Sequence, residues 1–410
     1  PGLLIMTTLR NFGRRLIGVA AVVLAACNMQ VTNPGPLQDS QLNAVSAMPA
    51  LVNGMSGDLS YALGNYIDRG GLASGEMTEA GNYSAEQQYW FGIIRPDDVN
   101  PDWANMQQAR WSAENGIERM KTVLGANFEK NVDTPRAYLY AGFANRLLGE
   151  NVCTGVIDGG PAQSDTVYFV RAESLFTRAY TLATALANTN VANAALGGRA
   201  SVRAWQGKWT DAVADAALVP NAFVYNAIFS TNSTRENLDM AVQTISRRET
   251  TVFGTVYAGI SKTDPRTPWD TVKVGTAIQT GQDGKTKFFQ QKKYTSLGSP
   301  VPLVKGADML LLRAEERLRA NDLPGMTTQI NSARATWTGL TPVTQPATTA
   351  AAWTLLQAER GSALWLEGRR LWDLRRWNAE GTNTFLTGRS KCVPVSTNER
   401  ASNPNPMPAP

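Results

Sequence analysis

The residue types that most enzymes use for acid–base and nucleophilic chemistry are sparse in this chain of 410 residues. It has no histidine, which excludes Ser-His-Asp triads and histidine metal sites. Its three cysteines are too few for a cage of thiolate metal ligands. Carboxylates remain, and Glu76 with Asp264 is the pair that a glycoside hydrolase would need across a cleft. Most other acids have basic neighbours, so we expect no catalytic residue, no metal and no cofactor, with a hydrolase as the alternative.

Charged residues concentrate in Ala352–Trp377, which also has apolar residues at helical spacing on two faces. That pattern predicts one helix buried on both sides. Arg369 and Asp373 have the i, i+4 spacing, and Asp373 and Arg376 the i, i+3 spacing, at which side chains meet. Because buried charges are costly unless paired, we predict that Glu367 and these three residues form ion pairs that hold neighbouring helices. An exposed, charged helix is the alternative.

Two tryptophans in this stretch argue against exposure. Trp365 and Trp372 would stand in water on a surface helix, so we place both in the core. Gly361 and Gly368 would each cost about 1 kcal/mol against alanine inside a helix. Their presence indicates close approach of another backbone.

The amino-terminal residues resemble an export signal. Arg10, Arg14 and Arg15 precede the apolar run Leu16–Ala26, which ends at Cys27. The run is too short to cross a bilayer, and its last residues with Cys27 resemble a bacterial lipobox. We therefore predict a lipoprotein signal peptide over 1–26 and acylation of Cys27, which gives stable membrane anchoring. A plain signal peptide with an incidental cysteine is the alternative.

Charge and composition limit the partners. The net charge of +5 falls to +2 without the three signal arginines, because 36 basic and 34 acidic residues remain. So small an excess predicts no affinity for nucleic acid. Residues 27–40 contain a Pro/Gly segment suited to a tether between the lipid and the globular part.

The remaining sequence predicts a mainly α fold, with a tetratricopeptide-like scaffold of helix pairs. The pairs fall at about 137–217 and 306–377, within a helical domain over 41–402 that ends in a tail at 403–410. Residues 220–302 form a loop-rich insertion with at most a small β-hairpin, on the ligand side of the scaffold. Gly70–Asp98 shows no long period and is predicted to be loops. Unrelated helical hairpins are the alternative to a repeat.

Together these features resemble the SusD/RagB family of outer-membrane nutrient-binding lipoproteins. The resemblance rests on the lipobox and on the following segments: Leu311–Glu315, Glu359-Arg360, Glu367–Trp377, Cys392–Val395, Glu399 and Asn403–Asn405. It implies a non-catalytic protein on the cell surface that captures oligosaccharides, or peptides, and delivers them to a SusC-like TonB-dependent transporter. A helical scaffold that binds only proteins, in the periplasm or at the surface, is the alternative.

Sugar binding needs aromatic faces together with amide and charged groups. Two groups of residues meet this description, and we select them as ligand-binding candidates: Asn82, Tyr83, Tyr89 and Trp90, then Asp264, Arg266 and Trp269. The alternatives are packing under a loop for the first group and a loop brace for Asp264 with Arg266.

Cys153 and Cys392 remain after acylation of Cys27. In an exported protein two such cysteines favour a disulfide, here between the region after Gly149 and the carboxyl-terminal segment. Two reduced thiols are the alternative.

Overall fold

The computed structural model describes residues 39–409. Asp39–Asn43 is a 3-10 turn within an amino-terminal unit, and residues from Ala44 onward form a second unit, to which the following description refers. The predicted signal peptide, the anchor Cys27 and nearly all of the spacer lie outside the described residues.

Helices dominate the second unit. In chain order they are α1 Met48–Ala73, α2 Ser84–Phe91, α3 Asn100–Leu124, α4 Thr134–Asn151, α5 Thr166–Ala185, α6 Thr189–Trp205, α7 Trp209–Leu218, α8 Asp239–Ala241, α9 Gly306–Arg319, α10 Leu323–Arg334, α11 Thr349–Ala363, α12 Arg370–Ala379 and α13 Thr397–Ser402. A π-helical turn, Val242–Arg247, continues α8.

These helices stack in sequence order. Helix α3 packs on α4, α4 on α5, α5 on α6 and α6 on α7, and α9 then packs on α7, α10 and α11. The buried ring of Phe176 in α5 shows how closely they approach, because a Cβ on Gly142 of α4 or Gly198 of α6 would fall within 2.6 Å of it. The predicted tetratricopeptide-like scaffold is therefore confirmed.

The breaks within the pairs also fall where the sequence indicated. Gly207, with φ of +77°, lies between α6 and α7, and Asn321, with φ of +60°, lies between α9 and α10. Glycine and asparagine are the residues that most readily adopt the left-handed conformation that ends a helix.

Short antiparallel strand pairs complete the described residues. They are β1 Thr78–Glu79 with β5 Thr250–Thr251, β2 Thr154–Gly155 with β3 Gln163–Ser164, β4 Val224–Ala227 with β10 Val301–Lys305, β6 Trp269–Thr271 with β9 Phe289–Gln291, and β7 Lys273–Val274 with β8 Ala277–Ile278. The β6–β9 pair corresponds to the small hairpin predicted in the insertion, and four further pairs accompany it.

The prediction of one helix through Ala352–Trp377 was wrong. Helix α11 ends at Ala363 and α12 begins at Arg370, with Leu366 and Gly368 between them at φ of +57° and +71°. Left-handed residues interrupt the i to i−4 hydrogen bonds of a helix. The freed backbone has other partners, since the Leu366 N–H donates to Glu76 Oε1 at 2.8 Å.

The two tryptophans of this segment occupy the core as predicted. Trp365 is 0% exposed and Trp372 is 9% exposed. Trp365 packs beside Tyr257, and Trp372 contacts the rings of Phe169 and Trp205.

The prediction of loops over Gly70–Asp98 was also wrong. Helix α1 continues to Ala73, and the eight residues of α2 lie in the middle of the segment. Two turns are too short to show a clear hydrophobic period, and α2 is held by contacts with α1 rather than by its own propensity.

Buried ion pairs join helices α4, α9 and α11 to the segment before α12. Asp308 of α9 is 1% exposed and accepts from Arg360 of α11 at 2.6 Å and from Arg369 before α12. Arg369 also reaches Glu150 of α4 at 3.2 Å. Burial raises the pKa of Asp308, but the Arg369 and Arg360 guanidinium groups outweigh it and hold that pKa well below its ordinary value.

Helix α12 makes the next pairs. Asp373 accepts from Arg376 at 2.9 Å, as the i, i+3 spacing predicts, and from Arg360 at 2.7 Å. Arg369 pairs with Asp308 and Glu150 rather than with Asp373, because it precedes α12 and its side chain turns toward α4 and α9. We call Glu150, Asp308, Glu315, Arg360, Arg369, Asp373 and Arg376 the charge hub.

A second buried group lies beside the hub. Glu367 accepts from Lys293 at 2.6 Å and from Lys305 at 2.5 Å. Burial lowers the pKa of Lys293 to about 8, and the Glu367 carboxylate opposes that effect.

A disulfide fastens the carboxyl-terminal segment to the end of α4. It joins Cys153 to Cys392, whose Cα atoms are 5.2 Å apart and which are separated by 239 positions in sequence. The Cys153 N–H donates to Val393 O at 2.9 Å, and the Val393 N–H donates to Asn151 O at 2.8 Å.

Candidate functional site

Helix α2 and the residue before it expose two of the selected aromatic residues to solvent. Tyr83 directly precedes the helix and Trp90 follows seven residues later, which is nearly two turns and about 10 Å along the axis. Their exposed fractions are 45% and 38%. The helix ends at Gly92, with φ of +78°, where a Cβ would lie 2.6 Å from Arg389 Nε.

A polar cleft of about 450 Å³ adjoins Tyr83. Helix α1, the start of α2, the start of α3 and the π-helical turn after α8 supply its walls. The polar residues that line it are Asn65, Asp68, Arg69, Tyr83, Ser84, Glu86, Asp102, Asn105, Asp239, Gln243 and Arg247. Carboxylates, amides and guanidinium groups so placed can hydrogen-bond the hydroxyls of a ligand that rests on the Tyr83 ring.

Arg69 holds one wall of this cleft in place. It donates to Glu86 of α2 at 2.9 Å and to Asp102 of α3 at 3.1 Å. Asp102 accepts as well from the Tyr89 hydroxyl at 2.7 Å. Burial raises the pKa of Asp102, and the Arg69 charge offsets part of that rise.

The opposite wall contains two acids that burial makes weaker. Burial, and then the charge of Asp239, raises the pKa of Asp68 well above its usual range, and burial also raises the pKa of Asp239. Asp239 accepts from Gln243 Nε2 at 3.1 Å. Gln243 Oε1 is buried and accepts no hydrogen bond within residues 39–409.

The residues at the rim of the cleft are exposed to solvent. Arg247 donates to the Tyr83 hydroxyl at 3.3 Å, and Asn82 Nδ2 donates to Gln282 O at 3.3 Å. Asn82 and Arg247 are both exposed. The predicted residues Asn82 and Tyr83 thus lie together at the mouth.

Trp90 belongs to an aromatic patch at the other end of α2. Its ring lies 5.0 Å from that of Phe91, which is 55% exposed. Arg389 donates to Trp90 O at 2.8 Å and lies 5.0 Å over the ring of Phe385. The Arg389 side chain therefore fixes α2 against the segment that follows α12.

We call the exposed pair Tyr83 and Trp90 the α2 platform, and Tyr89 does not contribute a ring face to it. It is 0% exposed, and its hydroxyl is bound to Asp102. The residue falls on the face of α2 that packs against α1 and α3, so it supports the platform from below, which is the packing alternative.

Asp264 and Arg266 lie elsewhere, at the base of the insertion. Both carboxylate oxygens of Asp264 accept from Arg266, at 3.0 and 2.8 Å, and Arg266 also donates to Glu359 of α11 at 2.6 Å. Arg266 is 6% exposed. This geometry is that of a brace between the insertion and α11. Trp269 stacks on Phe289 with the ring centroids 4.8 Å apart, which joins β6 to β9.

The carboxylates considered for hydrolysis do not face a common substrate. Glu76 is 1% exposed and accepts from Ser74 and from the Leu366 backbone. Burial raises its pKa to about 7. The Asp264 carboxylate is engaged by Arg266.

Several cleft residues were missed by sequence reasoning. Asp68 and Arg69 lie within the apolar pattern of α1, Asn105 lies in α3, and Gln243 and Arg247 come from a π-helical turn. The sequence offered one signal of this cleft: two adjacent charged residues, Asp68 and Arg69, interrupt an apolar helical pattern.

Comparison with protein-family models gives one matching family. Residues 225–405 match the SusD family model. Over these residues the chain is similar to the SusD/RagB-like family. The match includes the insertion, the α9–α12 helices and the closing segment. The Tyr83–Trp90 platform precedes it. A search among curated proteins found no match.

Solved structures share the SusD-like fold. A laminarin-binding SusD-like protein has a TM-score of 0.69 at 14% identity, over 89% of this chain and 99% of the other. A SusD-like carbohydrate-binding protein from Bacteroides vulgatus ATCC 8482 has a TM-score of 0.59 at 15% identity, over 81% and 83%. A SusD/RagB family protein from Bacteroides thetaiotaomicron VPI-5482 has a TM-score of 0.65 at 13% identity, over 88% and 94%.

Proposed function

We propose that this SusD/RagB-like protein is a non-catalytic receptor that binds an oligosaccharide along helix α2. The observation that carries the proposal is the pair Tyr83 and Trp90, exposed at the two ends of α2, with a polar cleft of about 450 Å³ beside Tyr83. Aromatic faces supply contact area for the apolar side of a sugar ring, and the cleft supplies partners for its hydroxyls. Two SusD-like proteins of the same fold are described as binding laminarin and carbohydrate.

The state of the cleft acids favours a neutral or weakly charged ligand. Burial raises the pKa values of Asp68 and Asp239, so it disfavours the charged form of both acids. Arg69 is already engaged by two carboxylates. Arg247 alone remains at the rim with only a tyrosine hydroxyl as its partner in the described part of the chain.

The proposal includes an anchor and a transport partner. Acylation of Cys27 would hold the protein at the outer membrane, and the bound sugar would pass to a SusC-like TonB-dependent transporter. Within residues 39–409, no helix has both the length and the apolar character to cross a membrane. Digestion of intact cells with protease tests the surface location, since a periplasmic protein would be protected.

Titration of the purified full chain with a panel of neutral oligosaccharides tests the binding site. Tyr83→Ala and Trp90→Ala are each expected to weaken binding about tenfold, because each removes one aromatic contact. Tyr83→Phe keeps the ring and is the matched control, with affinity expected within about threefold of the parent. Unchanged affinity in both alanine variants would refute the site.

The same incubations test the absence of catalysis. After prolonged contact with each bound oligosaccharide, we expect the concentration of reducing ends to stay constant. Release of reducing ends that Glu76→Gln abolishes would establish hydrolysis instead.

A further inference from the structure

Two adjoining clefts meet at a tryptophan on the opposite side of α3 from the α2 platform. The larger, of about 580 Å³, lies between α3 and α5, and the smaller, of about 280 Å³, lies between α3 and the segment 156–159. Arg110, Trp111 and Asp158 line both. The larger volume is within the range of small-molecule sites.

The Trp111 side chain is unusually exposed for so large a ring. It is 53% exposed, more than Trp90. Within residues 39–409 its indole stacks on no other ring, lies under no cation and donates no hydrogen bond. Val170 of α5, 58% exposed, stands on the facing wall of the larger cleft. An exposed tryptophan and valine that share a cleft form an apolar surface for a ligand.

The charged residues that line the larger cleft are already paired with one another. Arg110 donates to Glu114 at 2.9 Å and to Asp158 at 2.7 Å, and Arg171 donates to Glu114 at 2.6 Å. Lys121 pairs with Glu118 at 2.6 Å. A charged ligand would have to break these pairs, so the site favours a neutral one.

Uncommitted polar groups lie beside the indole. Asn115 and Ser174 line the larger cleft, and Gln108 lines the smaller. All three are exposed, and their side chains make no hydrogen bond within the described ranges. They offer both donors and acceptors to a ligand with hydroxyl groups.

The clefts are separate from the α2 platform. The polar cleft beside Tyr83 reaches α3 at Asn105, six residues before Trp111. Six residues rotate the helix by about 240° and advance it by about 9 Å, so the two side chains leave α3 on different faces.

From these observations we infer that the α3–α5 clefts form a second carbohydrate site, which takes a neutral oligosaccharide across Trp111. The apolar face of one sugar ring rests on the indole, and neighbouring units extend into the two clefts. The inference rests on the proposed function only for the class of ligand. A receptor with two such sites holds a long glycan at two points, which raises its avidity.

Calorimetric titration of the full chain with neutral oligosaccharides of increasing length tests the inference. We expect two sites per chain for a short ligand. Trp111→Ala should weaken one of them about tenfold and leave the other unchanged, whereas Trp111→Phe should retain both. Because Trp111 is exposed, the unfolding midpoint of each variant should match that of the parent, which excludes misfolding as the cause.

The same titrations are made with Tyr83→Ala. Failure of this inference can then be distinguished from failure of the proposed site on α2. A single site that Tyr83→Ala removes and Trp111→Ala does not would overturn the inference while the proposed function stands. A single site removed only by Trp111→Ala would overturn the proposed site on α2. Loss of transporter binding in Trp111→Ala, with glycan binding unchanged, would make this a protein-docking surface and overturn the inference.

Discussion

Replacing Glu315 by glutamine tests whether the charge hub holds α9 against α12. Glu315 is 1% exposed, and its two oxygens accept from both terminal nitrogens of Arg376, at 2.6 Å for Oε2. Arg319 donates to Oε1 at 2.8 Å. Glutamine has nearly the same shape, so the substitution removes the charge and replaces one acceptor oxygen by an amide group that cannot accept a hydrogen bond from a guanidinium group.

The size of the effect follows from the ionisation of the carboxyl group. Burial raises the pKa of Glu315, but the charge and hydrogen bonds of Arg376, together with the charges of Arg319 and Arg360, outweigh it and bring the value from 4.5 to about 2. Each pKa unit corresponds to about 1.4 kcal/mol, so the ionised carboxylate contributes about 3 kcal/mol at neutral pH. Removing one partner of a buried pair costs a similar amount.

The sign of the pH dependence provides a second observable. Because the pKa is lower in the folded protein, the stabilisation is present above about pH 4.5 and is lost as the pH falls toward 2. Urea unfolding at a series of pH values should show this decrease in the parent protein. In Glu315→Gln the contribution of this group to the slope should be absent.

The neighbouring residue supplies a matched control. Glu316 has the same side chain on the same helix, but it is 29% exposed and its nearest cation, Arg317, is 3.6 Å away and 53% exposed. Glu316→Gln should change the free energy of unfolding by less than about 0.5 kcal/mol. Equal losses in the two variants, or an unchanged pH slope in Glu315→Gln, would show that the hub does not act as described.

Three further predictions concern stability. Cys392→Ser should lower the free energy of unfolding by about 2–5 kcal/mol, and dithiothreitol should produce the same loss in the parent but none in the variant. Gly306→Ala should cost about 1–3 kcal/mol in urea unfolding, because its Cβ would fall 2.2 Å from a backbone oxygen, whereas Gly54→Ala, in open space on α1, should gain up to about 1 kcal/mol. Arg266→Gln should cost about 3 kcal/mol and leave oligosaccharide affinity within about twofold; a large loss of affinity at unchanged stability would return this residue to the ligand site.

The scaffold was predictable because its signals are local. Small and large apolar residues at helical spacing, with breaks at Gly207 and Asn321, specify helix pairs that need neighbours. The break between α11 and α12 was not predictable in the same way. Leu366 and Gly368 adopt left-handed conformations, and the hydrogen-bond partners of the Leu366 backbone, Glu76 and Tyr294, lie far away in sequence.

The candidate site was predictable only in part. Tyr83 and Trp90 were selected for their chemistry, and the short helix that aligns them was not foreseen, because two turns carry too little pattern. Tyr89, adjacent to Trp90, shows the limit directly, since one residue of rotation separates a buried ring from an exposed one. The cleft beside Tyr83 joins four segments that only tertiary packing brings together.

The charge hub has a consequence for the order in which the chain matures. Glu150 and Asp308 obtain their partner Arg369 only when the last tenth or so of the polypeptide has been synthesised, and Cys153 waits longer still for Cys392. A nascent chain that emerges amino terminus first therefore carries unmatched carboxylates along its stacked helices, and contacts of such long sequence separation form slowly. Late closure would keep the polypeptide pliable until synthesis is nearly finished, which would suit the export proposed for this protein.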